Sequence, residues 1–358
     1  MGASGFVLSL TSKFSPFATM ASPLVSVIVP NYNYARYLPE RLESVFGQTF
    51  QDFEVIILDD CSTDDSREVI ERYRNHPKVS HIVFNGHNSG SPFLQWEKGL
   101  ALARGKYAWV AEADDCAEAQ FLEKTVAAMD VAADVAAVKT MSRLIDSSGN
   151  VSSHAPFEDF EPDGRCYLYD GTEYLRDKLI WWNHCYNASM ILFRVEVWRG
   201  FVTKPYLNLR YVGDWLFWGM VMNGHRFAEV RDRLSHFRLH GKSVTDGARR
   251  TERLCAEGDV VAHFFRQMLP DTPYGMKVYN RYHLYKSFKQ RSVAELRTEI
   301  EKTNPGFWNN MGISFAHYPW LWLYKHTYWL LEKRHLKTRS EKNIMSKAAV
   351  FDLGKNNR

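Results

Sequence analysis

Four short, nearly continuous apolar runs alternate with stretches of helical spacing in the N-terminal third of the chain, and this alternation leaves few folds open. The runs are LVSVIVP (24–30), FEVIILDD (53–60), HIVFN (81–85) and the start of KYAWVAEADD (106–115). Between them, 35–47 places Leu38, Leu42, Val45 and Phe46 on one face, and 64–74, 91–104 and 118–129 read as further helices. Ser62 or Thr63 stands where a cap is needed for the second helix, and Gly105 where a left-handed residue would end the third. Strands that are apolar along their whole length are buried on both faces. The pattern therefore predicts an α/β protein, a mostly parallel sheet flanked by helices.

In such sheets ligands collect outside the carboxyl ends of the strands. The first run leads into PNYN, the second ends in LDDCSTDD and the fourth in EADD, so the acidic clusters fall at one edge. In EADD, Glu112, Asp114 and Asp115 crowd together, each repelling the next. A solvated turn would tolerate them. A divalent cation would hold them, since magnesium and manganese take carboxylate oxygens. No G-x-G-x-x-G follows the first run and no G-x-x-x-x-G-K-[ST] occurs anywhere, which speaks against a dinucleotide dehydrogenase and a P-loop enzyme.

Beyond residue 150 the pattern loosens. HAPFEDFEPDGRCY (154–167) reads as a polar loop, 188–193 as an apolar strand, 211–224 as a helix entered at Gly213-Asp214 and ended by Gly224, and 226–245 as extended segments. From residue 252 the chain turns helical, aromatic and basic. The formal net charge of +4 belongs to this tail, where residues 320–358 hold nine Lys/Arg against three Asp/Glu. The main domain thus has no basic stripe, and nucleic acid is a poor partner for it. Five cysteines with no C-x-x-C pair argue against a zinc cage or a disulfide framework and fit a reducing cytoplasm. Residues 1–22 lack the basic start and longer apolar core of a signal peptide and read as a disordered extension. No run reaches the roughly 18 apolar residues of a membrane span.

Five pieces in order, VSVIVPNYN (25–33), ILDDCSTDDS (57–66), NSGSPFLQWEKGLALARGKYAWVAEADD (88–115), VGDWLFWGMV (212–221) and FRLHGKSVT (237–245), resemble the family 2 glycosyltransferases of GT-A fold. The resemblance implies a catalytic domain over 23–250 and a C-terminal helical region over 251–358. It implies inverting transfer of a sugar from a nucleotide-diphospho-sugar, UDP or dTDP favoured, to an acceptor hydroxyl on a glycan or lipid-linked carrier, in bacterial surface polysaccharide synthesis. By similarity Asp115 and Asp114 are metal ligands for Mn2+ or Mg2+, with His240 as a third ligand or a phosphate donor, and Asp114 doubles as a ribose contact. Pro30, Tyr32, Asn33, Asp59 and Asp60 line the nucleotide pocket, and Asp59 or Asp60 accepts the imide N–H of the base. Asp214 is the general base, although a helix cap explains its position equally well. Glu112, Lys98, Ser243 and Thr245 stand as supporting sugar or phosphate contacts. The chain departs from many relatives at Gln95-Trp96-Glu97-Lys98, where they carry Arg-Asn.

Two rivals stand beside this reading. A sugar-nucleotide nucleotidyltransferase would want a Gly-rich basic loop after the first strand, and PNYNYARYL has no glycine. A degenerate domain that only binds sugar nucleotides or partners should have lost an acid, and all are present. The aromatic and basic stretch 318–336 reads either as a helix packed on the domain or as one lying at the inner face of the cytoplasmic membrane.

Overall fold

The computed structural model describes residues 22–154, 160–180, 183–240, 253–270, 344 and 346–353. The first half runs β1 (Val25–Asn31), α1 (Leu38–Phe46), β2 (Phe53–Asp59), α2 (Ser66–Glu71), β3 (Val79–Phe84), α3 (Pro92–Leu102), β4 (Tyr107–Val110), β5 (Cys116–Ala117) and α4 (Phe121–Met129). The second runs β6 (Val135–Ile145), β7 (Val151–His154), β8 (Cys166–Asp170), α5 (Gly171–Tyr174), β9 (Ile191–Arg194), α6 (Val195–Arg199), α7 (Gly213–Met222), β10 (Arg226–Arg238), α8 (Arg253–Met268) and β11 (Ala349–Phe351).

All the strands join one sheet, in the order β11-β8-β10-β6-β9-β4-β1-β2-β3, with β5 added to β10 and β7 to β6. The parallel arrangement expected from the sequence holds over β3-β2-β1-β4. Beyond β4 the sheet is mixed: β9 lies antiparallel between β4 and β6, while β8 and β11 run antiparallel at the far edge. β1 and β2 are buried at every position. Alternate side chains serve opposite faces. Val25, Val27 and Val29 join α1 and α4 residues, whereas Ile28 joins Phe93 and Trp96 of α3 and the aromatic α7.

Several local expectations are corrected. Neither Ser62 nor Thr63 caps α2; its N-cap position is Asp65, and the Ser62 hydroxyl bonds Asp59 instead. Gly105 is not left-handed, because α3 ends at an extended Ala103. Gly105 is needed for close approach: a Cβ there would stand 2.6 Å from the Ser26 backbone nitrogen. The apolar segment 188–193 begins as a 3-10 turn, Ala188–Met190, before β9. The strand β11, inside a region read as helical, had no sequence signal strong enough to announce it.

Candidate active site

The chain lays β2 and β3 on one side of β1, then returns to place β4 on the other, which opens a crevice at the carboxyl ends of β1 and β4. β1 pairs with β2 as far as Asn31 but with β4 only as far as Ile28. The Ile28 carbonyl accepts from Ala111 of the β4 side and the Asn31 carbonyl from Asp60 of the β2 side. Alternation therefore turns the Pro30 nitrogen toward β4, past the end of that pairing, where a missing N–H leaves nothing unmade.

On the β2 side, Asp59 accepts from the Asn31 amide (2.8 Å) and the Ser62 hydroxyl (2.6 Å) on Oδ1, and from the Ser62 backbone N–H (3.0 Å) on Oδ2. Asn33 has φ 58 and ties two loops together, its side-chain oxygen accepting from the Thr63 N–H at 2.7 Å. Tyr32 stands 44% exposed at the mouth. Asp60, expected at the base or ribose, is buried and accepts four hydrogen bonds. Its Oδ1 accepts from Asn85, the Ser89 N–H and Gln95, and its Oδ2 from the Ser89 hydroxyl. It fixes the loop after β3. Lys98 is exposed and donates to the same Asn85.

On the β4 side, the turn Glu112–Asp115 is wrapped by two buried arginines, Arg41 and Arg238, that no sequence pattern singles out. Arg41 of α1 lies fully buried over the Trp109 ring, donates from Nε to the Glu112 carbonyl at 2.9 Å, and has its NH2 4.0 Å from Asp115 Oδ2. Arg238, at the end of β10, donates its backbone N–H to Asp115 Oδ1 (2.9 Å), its Nε to the Asp114 carbonyl (2.7 Å) and its NH2 to Glu40 (2.5 Å). Burial, and then the charge of Asp114, pushes Glu112 up to about 8 and Asp115 up to about 7. Trp96 donates to Glu112 Oε1 at 2.8 Å. The departing tetrad is fully used: Gln95 holds Asp60, Trp96 holds Glu112, Lys98 holds Asn85, and Glu97 accepts from Trp198, Lys204 and Tyr206.

His240 and Asp114 meet, Nε2 to Oδ2, at 2.9 Å, with His240 packed between the rings of Tyr34 and Tyr37. Two neighbouring ligands of an octahedral ion with bonds of roughly 2.1 Å stand about 3 Å apart, so this pair fits a divalent cation in spacing, and its carboxylate is the oxygen donor that a hard cation takes. Asp115 is 1% exposed and lies deeper. Among the described residues, no three His, Cys, Asp or Glu groups already converge on one point.

Asp214 sits in the first turn of α7 but is not its cap; Val212 holds that position. Its Oδ2 accepts from Asn183 at 2.9 Å, and burial pushes it up to about 6. Gly213 permits this placement, since a Cβ would meet Phe93 at 2.5 Å and the Tyr206 carbonyl at 2.8 Å. Gly213→Ala is expected to destabilise the fold by about 1–3 kcal/mol through overpacking, read from the denaturant midpoint; an unchanged midpoint would contradict this tight packing. Ser243 and Thr245 lie outside the described residues, as do residues 1–21 and the segment 318–336.

Residues 26–201 match the family model for Glycosyl transferase family 2. Over this span, just under half of its length, the chain carries a glycosyltransferase family 2 domain. This transferase is 32% identical over 178 residues to the chondroitin synthase of Escherichia coli, a stretch covering 49% of its own length and 23% of that protein. Its fold resembles Staphylococcus aureus TarS 1–349 solved with UDP-GlcNAc, at TM-score 0.59 and 17% identity over 89% of this chain and 92% of that one. It also resembles the mannosyltransferase PcManGT of Pyrobaculum calidifontis solved with GDP-Man and Mn2+, at TM-score 0.52 and 18% identity over 84% and 88%. These are GT-A glycosyltransferases, the fold class expected from the sequence. The transferase spans less than a quarter of chondroitin synthase.

Proposed function

We propose that this transferase moves a sugar, with inversion, from a nucleotide-diphospho-sugar to an acceptor hydroxyl, with Asp214 as the general base. The observation that carries the reading is Asp214 itself. Its carboxylate is anchored by Asn183 and tuned by burial to about 6, close enough to neutral pH to be ionised yet basic enough to take a hydroxyl proton. Asn183 fixes the orientation from which that proton is taken.

The nucleotide lies in the crevice between β1 and β4. Tyr32 flanks the base, Asn33 shapes its loop, and the Pro30 carbonyl borders it. Three bonds leave Asp59 with acceptor capacity on Oδ2, enough for the imide N–H of uracil or thymine, which favours UDP or dTDP. Asp60 and Lys98 act through the loop they hold. Asp114, Asp115 and His240 would hold Mn2+ or Mg2+, which when bound neutralises charge on the departing diphosphate. A solved structural neighbour contains that metal with a sugar nucleotide, which supports the assignment. Glu112 buttresses this turn through Trp96, and Ser243 and Thr245 supply hydroxyls to the phosphates. The catalytic unit covers 23–250. Its acceptor is a glycan or lipid-linked carrier of a bacterial surface polysaccharide, reached at the cytoplasmic membrane face through the segment 318–336. No described helix is long and apolar enough to cross a membrane.

Calorimetric titration of UDP, dTDP and GDP, each with manganese and with chelator, tests the reading. One of the three is expected to bind in a manganese-dependent way, and Asp115→Asn is expected to weaken that binding at least tenfold. Binding that ignores both manganese and Asp115 would overturn the metal assignment, and no binding by folded protein would overturn the donor class.

A further inference from the structure

The family match ends at residue 201, yet Asp214 stands beyond it and is reached by a helix further on still. α7 is clamped on three sides. Trp215 donates from its indole nitrogen to the Leu179 carbonyl at 2.7 Å, Phe93 of α3 packs on Gly213, and Phe265 of α8 packs on Gly219 and edge-on to Trp215. These contacts fix the body of the helix. They do not fix the turn that delivers Asp214 to it, residues 210–212.

Among the described residues, one side chain bonds the backbone of that turn. The Glu257 carboxylate of α8 accepts the backbone N–H of Arg210 on Oε1 at 3.0 Å, and those of Tyr211 and Val212 on Oε2 at 2.7 and 3.2 Å. Three consecutive amides converge on a single carboxylate immediately before the first turn of α7. Hydrogen bonds to an ionised acceptor are stronger than neutral ones, and three in register leave the turn one arrangement. Among the described residues Glu257 forms no hydrogen bond to a group of the crevice; it acts on Asp214 through the backbone of this turn, and its negative charge adds to the upward push on the Asp214 carboxyl.

We propose that Glu257 is a positioning residue for Asp214, so that α8, outside the family-matched span, is part of the working active site. This rests on the reading of Asp214 as the base. Asp214 is anchored twice, through Asn183 on its side chain and through Glu257 on its backbone approach. A misplacement of about 1 Å at a reacting group lowers the rate by as much as roughly a hundredfold.

The test compares the full chain with Glu257→Leu, Glu257→Gln and Asp214→Asn, using the donor that calorimetry identifies. Glu257→Leu is expected to lower kcat by roughly ten- to a hundredfold with donor KM unchanged. Deuterium uptake across 210–212 should speed up while the rest of the sheet keeps its protection. Glu257→Gln retains one accepting oxygen and is expected to fall between wild type and Leu in both readouts. A fall in kcat with donor KM and the protection of the sheet unchanged is what a merely structural contact would not give. Wild-type kcat in Glu257→Leu, with exchange at 210–212 accelerated, would overturn the proposal. Loss of protection across the whole sheet in both variants would also overturn it, by making Glu257 a general stability contact. If Asp214→Asn keeps wild-type kcat, the base reading fails and this inference falls with it, whatever the exchange data show.

Discussion

Asp214→Asn is expected to lower kcat by roughly 10²–10⁴-fold, the range general-base removal costs, with the affinity for donor nucleotide unchanged. The isosteric amide keeps the volume and keeps an oxygen for the Asn183 amide to bond, so the loss would be of proton acceptance and not of packing. In the wild type the rate should climb as pH rises through about 6, because burial pushes Asp214 there and only the ionised form accepts a proton. The Asn variant should lack that limb. The sign on stability is opposite to that on rate. A carboxyl whose folded pKa lies above its unfolded value near 3.9 makes folding less favourable as pH rises from about 4 to 6. At pH 8 the neutral variant should therefore be more stable than the wild type, by up to ~2–3 kcal/mol. A variant that is slower and also less stable at pH 8 would show that the carboxylate is structural. A variant with wild-type kcat would remove Asp214 from the reaction.

The parallel half of the fold was legible because its signal is local. Runs such as VSVIV and VIIL must be buried on both faces, and their carboxyl ends announce the crevice. The mixed half was not, because β9 and β10 earn their places by pairing across distant segments, and β11 pairs with β8 from nearly the far end of the chain. The site divides in the same way. Asp114, Asp115, Asp214 and His240 stand out as polar residues in recognisable runs, and the structure brings His240 onto Asp114 across 126 positions. Arg41 and Arg238 were not visible. On a helix and a strand an arginine reads as a solvated residue, and only the tertiary fold shows that both are buried beneath the acidic turn. The tetrad 95–98 looked like a departure that left a contact missing. Each of its four side chains instead binds partners of its own, a pattern no spacing rule contains. Asp60 shows the converse: an acid at a strand end points to a ligand, and only the tertiary fold shows the three amide donors and the hydroxyl that its oxygens accept.

Behind the crevice lies a buried ion pair whose rupture should be the largest stability effect of any single substitution discussed. Lys139 of β6 and Glu229 of β10 meet at 3.0 Å, each less than a tenth exposed. Burial acts against the Glu229 charge, yet Lys139, Lys178 and Arg231 outweigh it and hold Glu229 at about 2; Glu229 in turn keeps Lys139 well above its ordinary value. Glu229→Leu would leave the Lys139 ammonium inside the protein without its acid, and is expected to cost about 3–5 kcal/mol. Lys139→Met should cost less, since Lys178 and Arg231 still face the carboxylate. The double variant should recover much of the Glu229→Leu loss, because two apolar groups leave no charge stranded. Because the folded carboxyl lies below its unfolded value, the pair's contribution is complete above about pH 4.5 and is lost as pH falls through about 2. Urea midpoints of the three variants measured at pH 7 provide the cycle, and strict additivity would show that the pair is not coupled. The same ammonium donates to the His184 carbonyl at 3.4 Å, one residue from the Asn183 that holds Asp214. Glu229→Leu should therefore lower kcat as well as stability, through the loop that carries Asn183, even at temperatures where the variant is fully folded.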